Sequence, residues 1–140
     1  MSEEVLERLV KSYMETDQSV YSFGWQGGEP TLMGVEFFEK VVSFQQKHGR
    51  SGAIVGNGLQ TNATLIDERF AKFLNKYRFL LGCSLDGPAD IHDLYRYTID
   101  GQKTHQRVLN GIQHLKQNKV EFNALVLVSQ ANVKHAARVY

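Results

Sequence analysis

The sequence predicts an α/β fold built on a parallel sheet, and three observations carry that prediction. Apolar runs of strand length alternate with segments of helical periodicity, in the order α-β-α-β-α-β-α-β-α. Strict alternation of this kind means right-handed crossovers between parallel strands. Residues 79–85 are almost uninterrupted apolar sequence, as expected of a strand covered on both faces. Finally, the first three strands each run out into polar or glycine-rich sequence: Gln26-Gly27-Gly28-Glu29-Pro30, Gln60-Thr61-Asn62 and Ser84-Leu85-Asp86-Gly87-Pro88. In parallel α/β folds the ligand site lies beyond the C-terminal ends of the strands, in doubly wound sheets and barrels alike.

The elements follow in order. Residues 2–14 predict a helix capped by Ser2, with Glu3 and Glu4 in the first turn and Val5, Leu6, Leu9, Val10 and Tyr13 as its apolar stripe. Residues 20–25 predict a strand. A second helix covers 35–47, with Phe37, Phe38, Val41, Val42 and Phe44 inward and Gly49 as its stop. The second strand, 53–59, is weakened by Gly56 and Gly58. Thr64 or Asp67 caps a third helix, in which Phe70, Phe73, Leu74 and Tyr77 follow helical spacing. After the third strand, 79–85, a polar irregular segment spans 89–103. A fourth helix then turns Val108, Ile112 and Leu115 inward, a fourth strand spans 120–128, and a last helix begins at Ala131.

A length of 140 residues is one domain's worth and is expected to form a single segment with a real core. Hydrophobic content of 42% and charged content of 22% are ordinary for a globular chain. Sixteen basic against fifteen acidic residues leave a net charge of +1. With no basic stripe and no polybasic tail, neither nucleic acid nor a membrane surface is an expected partner. No apolar run is long enough to span a bilayer, and Ser2-Glu3-Glu4 puts acids where a secretory leader carries base. The single cysteine, Cys83, excludes an internal disulfide, so the cytoplasm is the expected compartment.

The stretch 23–32 is the focus of the chain. Gly27 and Gly28 have no Cβ, so their backbone can face a small molecule. Pro30 pushes Glu29 into an extended conformation, holding its carboxylate and carbonyl at the strand's end, where an acceptor suits an ammonium group. An ordinary strand-to-helix turn explains the same residues. The other two loops add Gln60, Thr61, Asn62, Ser84 and Asp86 to the rim. Arg96, between Tyr95 and Tyr97, supplies a fork for a carboxylate, with a surface pair to Asp93 as the alternative. Together these groups suit an amino-acid nucleoside.

Other chemistry has no signature. There is no phosphate-binding loop, no dinucleotide fingerprint, no nucleophile elbow and no paired-cysteine zinc pattern. The histidines lack ligand spacing, and His105 and His114 read as a solvated helix face. Cys83, mid-strand beside Gly82, reads as a buried core residue. Asp86 and Asp93 are candidate general bases, though turn or cap roles fit them better.

The ordered blocks Trp25-Gln26-Gly27-Gly28-Glu29-Pro30-Thr31-Leu32, Leu59-Gln60-Thr61-Asn62, Ser84-Leu85-Asp86-Gly87-Pro88 and Ile91-His92-Asp93-x-x-Arg96 resemble radical S-adenosylmethionine (SAM) enzymes. Within that superfamily they look most like the anaerobic sulfatase-maturating enzymes. The resemblance implies a partial (β/α) TIM-like barrel of about four parallel strands, with helices on the outer face. It implies SAM and a [4Fe–4S] cluster as cofactors, and reductive cleavage of SAM to a 5′-deoxyadenosyl radical. That radical oxidises a cysteine or serine of an unfolded sulfatase polypeptide to Cα-formylglycine, with an electron-donor protein as a second partner. Carried over, Gly27, Gly28 and Glu29 bind the methionine amino end with Gln26 close by. Ser84 meets the ribose region, Arg96 the methionine carboxylate, and Gln60 and Asn62 line the cavity.

The sequence departs from that pattern in one respect. The Cys-x-x-x-Cys-x-x-Cys loop that holds the cluster has no counterpart here, and one cysteine cannot hold such a cluster. The chain is therefore expected to be a central segment of a larger enzyme, with the cluster ligands outside it. Such a segment is expected to be inactive alone and to self-associate through uncovered edges. Another peptide-modifying radical SAM enzyme and a non-catalytic α/β nucleoside-binding module are the alternatives.

Overall fold

The computed structural model describes residues 1–140. Four parallel strands lie in the order β1-β2-β3-β4: Val20–Trp25, Ile54–Thr61, Leu80–Ser84 and Phe122–Leu125. Between and around them run α1 (Glu3–Met14), α2 (Gly34–His48), α3 (Glu68–Lys76), α4 (Ala89–His92), α5 (His105–Gln117) and α6 (Ala136–Val139).

Local signals set most of these boundaries. The Ser2 hydroxyl accepts the Val5 N–H at 3.3 Å to start α1, and Gly49 follows the last residue of α2. Of the two candidate caps for α3, Asp67 serves: its carboxylate accepts the Phe70 N–H at 2.7 Å. The Thr64 hydroxyl instead donates to Asn62.

Longer-range bonding moved the other boundaries. β2 runs two residues past its expected end because Gln60 and Thr61 pair with Gly82 and Cys83. β4 is shorter than the expected 120–128. The Leu127 N–H donates to the Asp86 carboxylate at 2.8 Å, and the Leu127 carbonyl accepts from the Asn132 amide at 2.8 Å, so side chains replace the ladder there. Asn132 also accepts the Ser129 N–H at 2.8 Å. That turn occupies the start of the expected last helix, leaving only Ala136–Val139 helical. The segment expected to be irregular contains α4.

Alternation along the strands divides the sheet into two faces. Tyr21, Phe23, Leu59, Leu81 and Cys83 face the helices and are buried. They join Leu6, Val10 and Met14 of α1, Val35, Phe38, Val41 and Val42 of α2, Phe70, Phe73 and Leu74 of α3, and Val108, Ile112 and Leu115 of α5 in two core clusters. The stripe of α1 is narrower than expected: Val5 and Leu9 are exposed, because this helix at the sheet edge packs chiefly against α2 and β1. On the opposite face Val20 pairs with Ile54 and Leu80 pairs with Gly58, and all three apolar side chains are exposed. β3 is thus covered on one face and not, as expected, on both.

Candidate functional site

The functional groups gather where the strands end. Trp25 and Leu59 are partners in the β1–β2 ladder, so Gln26, the first residue after β1, stands beside Gln60 near the end of β2. Gln60 pairs with Gly82, two residues before Ser84. These ends and the loops beyond them enclose a cavity of about 710 Å³ lined by Gln26, Gly27, Gly28, Glu29, Gln60, Thr61, Asn62, Ser84 and Arg96. The eight residues that the resemblance assigns to SAM all line it, as does Thr61, whereas Asp86, also expected on the rim, does not. The remaining wall, Leu125 to Leu127, went unrecognised because those residues read as strand.

Glu29 organises the rim. Its backbone is extended, φ −128° and ψ 104°, as the following proline requires. Its carboxylate accepts the Thr31 N–H at 3.0 Å, the Thr31 hydroxyl at 2.6 Å, the Thr61 hydroxyl at 2.7 Å and the Asn62 N–H at 2.7 Å. The end of β1 is thereby tied to the end of β2. With four protein donors satisfied, this carboxylate is a brace for the rim. Gly27 and Gly28 precede it at φ 100° and 54°, left-handed values that favour glycine, and a Cβ at either would point into open space. Their carbonyls accept no backbone hydrogen bond.

Arg96 does not pair with Asp93. Asp93 instead accepts the N–H groups of Thr104 and His105 at 3.0 and 2.9 Å and caps α5. The Arg96 guanidinium grips Asp86, with Nε at 2.5 Å and Nη2 at 3.2 Å. Asp86 is buried. Burial raises its pKa, but the hydrogen bonds from Arg96 and the Leu127 N–H and the charge of Arg96 outweigh it, holding the carboxyl below its ordinary value. Asp86 is therefore neither a turn residue nor a free base; it is the seat of Arg96, whose side chain stays 27% exposed toward the cavity.

Two further residues support this seat. His92 is fully buried, and burial, with the nearby charge of Arg96, lowers its pKa. Its ring packs edge-on to His105 at 5.5 Å between centroids. His105 and His114 are half-buried, not a solvated face, and His114 Nδ1 is buried without a partner. Thr104, also buried, stands between His92 and Arg96. The signal for His92 was its place in Ile91-His92-Asp93; nothing local marks Thr104.

The residues present fit SAM. The cavity has the size of a small-molecule site, and bare glycine backbone, the Arg96 guanidinium and the Ser84 hydroxyl all line it. They do not fit an iron–sulfur cluster. Cys83 is buried, and burial together with the charge of Glu29 pushes its thiol up to about 12. No three histidine, cysteine or carboxylate side chains meet in a metal-ligand group.

Comparison with known proteins agrees with this geometry. The profile of the radical SAM superfamily matches residues 1–139. A cysteine-type anaerobic sulfatase-maturating enzyme of Clostridium perfringens is 46% identical over 140 residues, covering 100% of this chain and 38% of that protein. A serine-type anaerobic sulfatase-maturating enzyme of Klebsiella pneumoniae is 34% identical over 143 residues, covering 100% of this chain and 36% of that protein. The structure of native anSMEcpe with bound AdoMet (SAM) and the Kp18Cys peptide superposes with a TM-score of 0.97 at 46% identity, covering 100% of this chain and 39% of that one. The chain thus spans a little over a third of the relatives it matches, and its four strands correspond to part of their barrel.

Proposed function

Because this chain belongs to the radical SAM superfamily, we propose that its rim cavity binds SAM as part of an anaerobic sulfatase-maturating enzyme. The supporting observation is the convergence of Gln26, Gly27, Gly28, Glu29, Gln60, Asn62, Ser84 and Arg96 on one cavity. The carbonyls of Gly27 and Gly28 accept the methionine ammonium group, since the Glu29 carboxylate is occupied by four protein donors. Arg96 meets the methionine carboxylate with the edge that Asp86 leaves free. Ser84 faces the ribose, and Gln60 and Asn62 contact the remainder of the ligand. When SAM is bound with a [4Fe–4S] cluster, it supplies the radical chemistry that oxidises a cysteine or serine of an unfolded sulfatase chain to Cα-formylglycine. The cluster ligands come from outside these residues, and the protein works in the cytoplasm with an electron-donor protein.

The test is SAM titration of the intact protein and its Arg96→Ala variant. Loss of one charge-assisted contact weakens binding by about 1.5–3 kcal/mol, while iron content stays unchanged because Arg96 is not a ligand. Unchanged SAM affinity would remove the clamp. Mass spectrometry of sulfatase peptides carrying cysteine or serine at the target position then identifies the substrate.

A further inference from the structure

We infer that His92, which lies outside the cavity lining, is a positioning residue that sets Arg96 at the rim through two hydrogen-bonded arms. The inference rests on the reading of Arg96 as the carboxylate clamp. The Asp86 N–H donates to His92 Nδ1 at 3.2 Å, so Nδ1 carries no proton. On the other side, Nε2 lies 3.1 Å from the Thr104 hydroxyl. That hydroxyl donates to the Arg96 carbonyl at 2.7 Å, so it must accept from His92 Nε2–H. The tautomer is fixed by its neighbours: neutral, with the proton on Nε2.

Each arm ends on Arg96. The first holds the backbone of Asp86, whose carboxylate grips Nε and Nη2; the second holds the Arg96 carbonyl. A buried group serving only to fill space needs no such pair of bonds, and an apolar ring of similar size would serve. Here both ring nitrogens are bonded, and both bonds lead to the same residue. The charged and titratable groups around the ring are Asp86, Arg96, Asp93 and His105. A proton added at Nδ1 would face the Asp86 N–H and break the first arm.

The test titrates SAM into the intact protein, comparing wild type, His92→Phe, Thr104→Val and Arg96→Ala with the two double variants. His92→Phe keeps an aromatic ring at the site and removes both arms; Thr104→Val keeps the shape and removes the second. Residues that act through one another are non-additive, so His92→Phe and Thr104→Val should each weaken SAM binding by about fivefold or more when Arg96 is present, and by less than about twofold in the Arg96→Ala background. If His92→Phe does not fold, Thr104→Val decides alone. Folded variants that bind SAM like wild type, or that lose affinity equally with and without Arg96, overturn the inference. Normal binding by Arg96→Ala instead overturns the clamp reading on which it rests.

Discussion

Replacing Glu29 by glutamine tests the brace at the rim. The carboxylate accepts four hydrogen bonds: three on Oε1, from the Thr31 N–H and the Thr31 and Thr61 hydroxyls, and one on Oε2, from the Asn62 N–H. Glutamine has nearly the same shape but one acceptor. In its better orientation the amide oxygen keeps the three donors on the Oε1 side. Its NH₂ group then faces the Asn62 N–H, donor against donor. The lost bond was made to a charged acceptor, worth about 1.5–3 kcal/mol, and the three retained bonds become neutral and weaker. The two threonine hydroxyls can rotate to recover part of that loss. A net destabilisation of about 3 kcal/mol follows. With an unfolding entropy of about 2.1 cal/mol/K per residue, a unit of 140 residues loses about 10 °C in Tm. Thermal unfolding followed by circular dichroism measures the shift, and amide exchange should show faster opening at Asn62. A variant melting within about 2 °C of wild type, with Asn62 still protected, would refute the brace.

Four further outcomes are expected. Gly111→Ala should destabilise the fold although alanine favours a helix by about 1 kcal/mol: its Cβ would collide with the Ala63 carbonyl, and overpacking costs about 1–3 kcal/mol. Equal or higher stability in urea would show that α5 shifts freely. Acid should destabilise the protein, because His92 and Asp86 both have folded-state pKa values below their ordinary ones. Their contributions are complete above the unfolded-state values of about 6.5 and 3.9 and are lost as pH falls through the lower folded ones; Tm should fall from about pH 6.5 downward, and His92→Asn should flatten the histidine part of that profile. Cys83 should resist alkylation at mildly alkaline pH in the native state and react at once in denaturant, since its thiol is pushed up to about 12; rapid native labelling would contradict its burial. The 140-residue chain studied alone should self-associate at micromolar concentration through exposed Val20, Ile54, Leu80, Leu127 and Val128. Sedimentation as a clean monomer with cooperative unfolding would show instead that this face tolerates water.

The sequence by itself determined the alternation of the strands with the long helices, the position of β1 and most of the residues that line the cavity. Each of these depends on a local pattern: hydrophobic period, a Ser or Asp cap, a proline after Glu29, or polar residues at a strand's end. Tertiary structure decided what those residues bond to. Glu29 finds Thr61 and Asn62 across the sheet, and Asp86 finds Arg96 and Leu127. In both cases the choice follows from which loops the parallel crossovers bring together, and no short window of sequence contains it. The same cause ended β4 early, since Asp86 and Asn132 compete with the ladder for the backbone of Leu127. His92 reads from sequence as a member of Ile91-His92-Asp93-x-x-Arg96 with no role of its own. Only its burial, with one ring nitrogen on each side of a bonded path to Arg96, sets it apart.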